Sequence, residues 1–168
     1  SDSAALDNVM ELLVQCGRSP ANAAAMLVPE AFENHKEMDP RVRAFFEYQR
    51  TLMEPWDGPA ALCFTDGRVA AASLDRNGLR PLRYWLTSSN KLIVVERGRL
   101  GAGEMIVADV ETGVLLRNQD VKTQLATARP YSAWLERSVR HLTGGRKGLG
   151  QILSTETLMR VISPVRAR

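Results

Sequence analysis

The first third of the chain has apolar residues at helical spacing. They recur every three or four positions between Asp2 and Gly17, which predicts an amphipathic helix. Asp2 or Ser3 can cap this helix, and Gly17 marks its end. The apolar positions are Leu6, Val9, Met10, Leu13 and Val14.

Two more helices are marked by proline in the first turn. Ser19-Pro20 supplies an N-cap and a first-turn proline for a helix that Pro29 closes. Asp39-Pro40 repeats the arrangement and predicts a third helix, which Pro55 stops. The stripe expected to face a core in this third helix is Val42, Phe45, Phe46, Gln49 and Leu52.

From Trp56 onward the pattern becomes one of short β-prone runs separated by turn-forming pairs. Residues 60–65 and 68–74 predict one hairpin, 82–87 and 92–95 a second, and 104–110 with 114–117 a third. The turn pairs are Asp57-Gly58, Asp66-Gly67, Asn77-Gly78 and Ser89-Asn90, and the third hairpin turns at Glu111-Thr112-Gly113.

The remainder predicts two helices and a basic tail. A short helix is expected after Asn118, and residues 131–141 form another with Trp134, Leu135 and Val139 on its apolar face. The organisation is therefore helical over 1–54, β-rich over 56–117 and helical over 118–141, followed by a basic and flexible tail over 142–168.

Composition is that of a soluble globular protein of one domain. The chain has 168 residues, of which 45% are hydrophobic and 24% charged. No stretch approaches the roughly 18 apolar residues that span a bilayer, and the first residues do not resemble a secretory signal. We therefore expect no membrane partner and a location in the cytoplasm, or in the plastid stroma for a plant or algal protein.

The net charge of +3 is unevenly distributed. Residues 1–60 hold five Lys/Arg against ten Asp/Glu, whereas residues 117–168 hold ten against three. A basic run can bind nucleic acid, but no aromatic residues interleave with the charges in 142–168, which favours a solvated tail. We expect nucleic acid not to be the partner.

Candidate chemistry is sparse when the residues are taken alone. Cys16 and Cys63 are far apart without metal-ligand spacing, which predicts reduced thiols in the core. His35 and His141 are expected at the surface. Gly98-x-x-Gly101-x-Gly103 resembles a phosphate loop only loosely, because it lies between two predicted strands. We predict no metal site and no catalytic residue from these patterns.

Four strings carry a specific resemblance to a known family. They are SDSAALDN at residues 1–8, MEPWDGPA at 53–60, DRNGLRPLRY at 75–84 and GRLGAGEM at 98–105. In this order they resemble the glutaminase domain of glutamate synthases, a class II glutamine amidotransferase. The resemblance implies an N-terminal-nucleophile hydrolase of α+β class, here an incomplete four-layer αββα sandwich covering residues 1–141.

The resemblance also implies a function and a binding residue. Glutamine is hydrolysed to glutamate and ammonia, which a separate synthase site transfers to 2-oxoglutarate with FMN and an iron–sulfur cluster. We expect no cofactor in this chain, and its partners to be glutamine and the remaining parts of the synthase. Asp2 matches the aspartate that holds the α-amino group of glutamine, whereas the residues alone favour a helix cap.

The other matching strings are expected to be architectural. Gly58 and Gly78 permit turn conformations, and Arg76, Arg80 and Arg83 are expected to fix loops through carboxylate or carbonyl contacts. Asn77-Gly78 is not the family's oxyanion pair, which precedes the SDS string.

The chain also departs from the family pattern. Cys16 and Cys63 are internal, so neither has the free α-amino group that the N-terminal nucleophile uses as its base. The step from Val95 to Gly98 omits a dozen or more residues, and residues 142–168 show no resemblance. We expect the isolated chain to be catalytically incompetent, with exposed sheet edges; the alternative is a non-catalytic scaffold or interaction module.

Overall fold

A computed structural model describes residues 2–86, 92–94 and 100–139 of the chain. It confirms the predicted order of three helices, three hairpins and two helices. The helices are α1 Asp2–Gln15, α2 Pro20–Leu27, α3 Pro40–Arg50, α4 Asn118–Thr127 and α5 Tyr131–Ser138. The strands are β1 Ala61–Thr65, β2 Val69–Leu74, β3 Tyr84–Leu86, β4 Leu92–Val94, β5 Met105–Asp109 and β6 Val114–Leu116.

The predicted caps of α2 and α3 are present. The Ser19 hydroxyl accepts a hydrogen bond from the amide of Asn22 at 3.2 Å, and Pro20 occupies the first turn. The Asp39 carboxylate accepts from the amide of Arg41 at 2.8 Å. Each cap satisfies an amide that the helix itself leaves without a partner, which fixes where the helix begins.

The main sheet has four antiparallel strands in the order β1-β2-β5-β6. β1 pairs with β2 in the register that places Cys63 opposite Ala72. β2 pairs with β5, placing Ala72 opposite Ile106. β1 and β6 are the two outer strands, and β3 pairs with β4 in a separate two-stranded sheet.

The helices cover one face of the main sheet. Ala71, Met105 and Val107 point into a core shared with α2, α3, α4 and α5. Within this core six aromatic rings form a connected chain, in which successive centroids lie 5.2–5.5 Å apart. Its members are Phe32, Phe46, Phe45, Tyr131, Tyr48 and Trp134.

The opposite face of the sheet carries a second, smaller core. Ala72, Leu74 and Ile106 pack there with Leu100 and with Tyr84 of β3. The described residues therefore form a helix layer, a four-stranded sheet and a strand pair that contributes to the next layer. This arrangement agrees with the predicted α+β class and with part of an αββα sandwich.

Two residues that were predicted to lie in the core are exposed, and the reason is the same for both. Leu52 is 49% exposed and Val139 is 41% exposed, because each lies beyond the helix that was expected to carry it. α3 ends at Arg50 and α5 ends at Ser138, so neither side chain continues the buried stripe. In contrast, Val42, Phe45, Phe46 and Gln49 are buried as predicted.

No helix among the described residues is long and apolar enough to cross a membrane. His141 and the predicted tail over 142–168 lie outside the described residues, so their description remains a prediction.

Candidate functional site

A cleft of about 670 Å³ separates α1 and α2 from the outer strand β1. We call it the α1–β1 cleft. One wall comes from α1 and α2, and the other from β1 and the segment that precedes it. Its lining residues are Asp2, Ser3, Leu6, Asp7, Met10, Ala24, Leu27, Val28, the stretch 56–64 and Arg80.

Asp2, the predicted binding residue, lies in this cleft. It is the first residue of α1, not the residue before the helix, and it is exposed. Asp7 of α1 and Asp57 of the opposite wall also line the cleft, and Arg80 is the only cationic residue among those described there. A ligand with an ammonium group fits a site with this excess of carboxylates.

The MEPWDGPA string forms the wall opposite α1. The amide of Trp56 donates to the carbonyl of Leu27 at 2.7 Å, which ties the wall to the end of α2. Gly58 has a φ of +122°, a conformation that side chains oppose. The Asp57 carboxylate accepts from the Gly58 amide at 2.8 Å and from the Asn77 side chain at 3.1 Å. This string is therefore both architectural and part of the site.

The DRNGLRP loop is wound around the Asp75 carboxylate, which is almost wholly buried. Burial raises the pKa of Asp75, but hydrogen bonds from the backbone amides of Leu79, Arg80, Ala60 and Asn77 outweigh that effect and hold the pKa below its ordinary value. No ion pair formed by the described residues includes this carboxylate, so amide dipoles keep it ionised. Sequence reasoning missed Asp75, although an aspartate two residues before Asn77-Gly78 is typical of an Asx turn, in which the side chain accepts from the amide two residues on.

The arginines of the same loop have different roles. Arg76 forms an ion pair with Glu33 at 2.6 Å, which confirms its predicted loop-fixing contact. The structure shows no such side-chain contact of Arg80 or Arg83 with the residues that it describes. Arg80 instead lines the cleft, which makes it a site residue that the sequence analysis treated as architectural.

The described part of the GRLGAGEM string, residues 100–105, packs against the DRNGLRP loop and against Glu30, three residues after the end of α2. Gly103 has a φ of +65°, and a Cβ atom there would lie 2.3 Å from the Cβ of Glu30. Its amide donates to the carbonyl of Asp75 at 2.8 Å, and strand β5 follows. Since a phosphate loop presents free amides at the start of a helix, this segment is not one. Gly98 lies outside the described residues.

Both cysteines are exposed, so the prediction of core thiols is wrong. Cys16 follows the last residue of α1. Cys63 lies on β1, which is an outer strand of the sheet formed by the described residues. They are free thiols, as predicted. Cys63 is also one of the residues that line the α1–β1 cleft.

A second cavity, of about 650 Å³, contains no metal-ligand set. It is lined by Lys122 of α4 and by Glu30, three residues after α2, which together form a nearly buried ion pair. His35 also lines it and is exposed as predicted. No group of three or more metal-ligand side chains occurs within the described ranges. The residues present there do not fit an iron–sulfur cluster, whose irons need several thiolates in one place.

The first comparison with known proteins identifies a family. Residues 1–134 match the class-II glutamine amidotransferases, so the match runs from α1 into the first half of α5 and includes both walls of the cleft.

The individual relatives that the chain matches are all glutamate synthases. The chain is 45% identical to the chloroplastic ferredoxin-dependent glutamate synthase of rice, over 95% of this chain and 11% of that protein. It is 45% identical to the large chain of the NADPH glutamate synthase of Bacillus subtilis, over 81% of this chain and 10% of that protein. A ferredoxin-dependent glutamate synthase of Synechocystis is 43% identical over 81% of the chain. The chain spans about a tenth of the length of these curated relatives.

The rice alignment bears on two departures from the family pattern. It is 177 positions long, more than the 168 residues of the chain, so this chain lacks residues that the rice protein has. It also covers 95% of the chain and must therefore extend into residues 142–168. The expectation that these residues resemble nothing in the family is thus wrong for part of them.

Proposed function

The chain belongs to the class-II glutamine amidotransferases, and from this premise we propose that it forms part of the glutaminase domain of a glutamate synthase. The observation that carries the proposal is the convergence of three separate motifs on one cleft. Asp2, the stretch 56–60 and Arg80 come from distant parts of the sequence and line the same cavity. The relatives described above are all glutamate synthases, which supports the assignment.

In this proposal the complete domain hydrolyses the side-chain amide of glutamine to glutamate and ammonia. The ammonia is then used with 2-oxoglutarate elsewhere in the parent enzyme. The contribution of this chain is substrate binding: the Asp2 carboxylate accepts hydrogen bonds from the α-ammonium group of glutamine. The acidic lining of the cleft supports this role, because Asp7 and Asp57 add to the attraction for a cation.

The experiment that tests the proposal is a titration of the chain with L-glutamine, followed by chemical shifts of the backbone amides. We expect saturable shifts that include residues of the stretch 56–60. Asp2→Asn keeps the shape of the side chain but removes its charge, and it should weaken glutamine binding at least tenfold. Glu11→Gln is the matched control: it also removes a carboxylate from α1, but Glu11 does not line the cleft. Equal weakening by both changes, or no binding by the unaltered chain, would overturn the proposal.

We also propose that the isolated chain hydrolyses no glutamine. Cys16 and Cys63 are both internal, so neither thiol has an α-amino group of its own to act as base. The only histidine among the described residues, His35, lines the second cavity, not the α1–β1 cleft that contains Cys63. Ammonia release from glutamine should stay at background. Release that persists in the Cys16→Ala/Cys63→Ala double variant would contradict this.

FMN and the iron–sulfur cluster belong, in this proposal, to other parts of the parent enzyme, since the described residues do not fit a cluster. The names of the relatives include bacterial and chloroplastic proteins, which supports the cytoplasm or the plastid stroma as the location.

The second candidate is a non-catalytic interaction module, and one observation favours it. α1 has no buried residue, because its apolar side is only half-buried and Leu12 is 58% exposed, so apolar surface of this helix remains available. If the chain binds a partner and not glutamine, the glutamine titration is flat. Salt-sensitive binding to nucleic acid that is lost on removal of residues 142–168 would then support the second candidate, a non-catalytic interaction module.

A further inference from the structure

Asp75 connects two parts of the α1–β1 cleft that are not neighbours in sequence. Its Oδ2 atom accepts hydrogen bonds from the amides of Ala60 at 3.2 Å and Arg80 at 3.1 Å. Ala60 belongs to the wall opposite α1, and Arg80 provides the cationic residue of the cleft. One oxygen atom therefore holds both positions at a fixed separation.

The other oxygen of Asp75 organises the chain between these two positions. Oδ1 accepts from the amides of Asn77 at 3.1 Å and Leu79 at 2.9 Å. The Asn77 side chain in turn donates to Asp57, which also lines the cleft. The loop is thus held from inside by Asp75 and attached to the cleft wall by Asn77.

The backbone of Asp75 adds to the same arrangement. Its amide donates to the carbonyl of Ala60 at 2.9 Å, and its carbonyl accepts from Gly78 at 3.1 Å and Gly103 at 2.8 Å. Four amides directed at one side chain require two accepting oxygens. An asparagine side chain would turn an NH₂ group toward two of these part-buried donors and leave them without an acceptor.

We propose that Asp75 is a positioning residue of the cleft. It touches no ligand, but it fixes Ala60, in the wall opposite α1, relative to Arg80. Ligand affinity depends on the spacing between these two residues. This inference rests on the proposed function, in which the cleft binds glutamine. Asp75 is 1% exposed and does not line the cleft, so any effect it has on a ligand passes through the residues that it holds.

The test compares L-glutamine affinity in Asp75→Asn and in Asp109→Asn. Asp109 is the matched control because its carboxylate also accepts two backbone amides in a turn, those of Glu111 and Thr112, but lies away from the cleft. At a temperature where both variants are folded, Asp75→Asn should lower the affinity at least tenfold. Asp109→Asn should leave it within twofold. A folded Asp75→Asn variant with unaltered affinity would overturn the inference.

A second readout separates positioning from general stability. Amide protons that are bound to a carboxylate resonate downfield, so the Ala60 and Arg80 signals should move upfield in Asp75→Asn while amides of α3 stay unchanged. If the unaltered chain does not bind glutamine, the proposed function fails, and these two signals still show whether Asp75 fixes the wall and Arg80. Unchanged signals would refute the positioning role independently of any ligand.

If Asp75→Asn does not fold, Asp75→Glu replaces it in the affinity measurement. It retains the charge but moves the carboxylate by one carbon, so a folded variant should bind glutamine more weakly than the unaltered chain. Unaltered affinity in this variant would contradict the inference. Failure of both variants to fold would also contradict it, because Asp75 would then act on the whole fold and not on the cleft.

Discussion

The backbone amide of Gly103 donates a hydrogen bond to the carbonyl of Asp75, with 2.8 Å between nitrogen and oxygen. This contact joins two of the four strings that carry the family resemblance. A second contact has the same effect, because a Cβ atom on Gly78 would lie 3.2 Å from Ala102. The glycines therefore allow the two loops to touch along their backbones, and the loops together support one side of the cleft.

Gly103→Ala should destabilise the chain severely. The new Cβ atom would lie 2.3 Å from the Glu30 Cβ, and alanine is also strained at a φ of +65°. We expect a loss of more than about 2 kcal/mol in the free energy of unfolding, measured by urea denaturation. Gly113→Ala is the control, since Gly113 has a φ of +70° with nothing within 4 Å of an added Cβ. It should cost only about 1 kcal/mol, and equal losses would refute the steric argument.

Lys122→Met should expose the cost of an unpaired buried charge. Lys122 and Glu30 are 8% and 14% exposed, and the variant leaves the carboxylate without its cation. We expect a loss of about 3 kcal/mol in the free energy of unfolding. The Glu30→Gln/Lys122→Met double variant should lose less than the sum of the two single changes. Additive losses would show that the two side chains do not interact.

Asp75 should make folding sensitive to acid. Because its pKa is lower in the folded chain than the ordinary value of 3.8, the folded state favours the ionised form. The stabilisation is fully present above about pH 4 and is lost as the pH falls through the folded-state pKa. Unfolding of the chain and of Asp75→Asn, measured between pH 7 and pH 3, should therefore differ most above pH 4 and converge below it. A difference that grows toward pH 3 would contradict this sign.

Glutamine should protect one cysteine and not the other. Both thiols are exposed and should react with a maleimide in the folded chain, as followed by mass spectrometry of the peptides. Cys63 lines the α1–β1 cleft, whereas Cys16 does not, so saturating L-glutamine should slow modification of Cys63 alone. Equal slowing at both positions would indicate a general change in the fold, and no slowing would place the ligand elsewhere.

Local chemistry predicted most of the secondary structure. Ser19 and Asp39 define helix starts by hydrogen bonds within three residues, so their effect can be inferred from the sequence alone. The helix ends were less predictable, because Leu52 continues the apolar period of α3 although the helix stops at Arg50. Burial depends on what packs against a residue, and periodicity does not contain that information.

The cleft could be predicted only in part. Asp2 came from the resemblance, and the structure places it opposite Trp56 and its neighbours, a juxtaposition that depends on contacts distant in sequence. Arg80 and Asp75 were missed as site residues for the same reason. The exposure of Cys63 followed from the position of β1 at the edge of the sheet, which strand order decides and composition does not.

The connected aromatic rings of the helix layer also allow folding to be followed by tryptophan fluorescence. Trp134 has the rings of Tyr48 and Tyr131 within 5.5 Å, close enough for both tyrosines to transfer excitation energy to its indole. Trp56 lies in the wall of the α1–β1 cleft that faces α1. Tyr48 lies on α3 and Trp134 on α5, so energy transfer from Tyr48 to Trp134 reports the packing of these two helices, whereas a ligand in the cleft alters the emission of Trp56. Comparison with a Trp56→Phe variant isolates the emission of Trp56 from that of Trp85 and Trp134, so ligand binding at the cleft can be followed separately from helix packing.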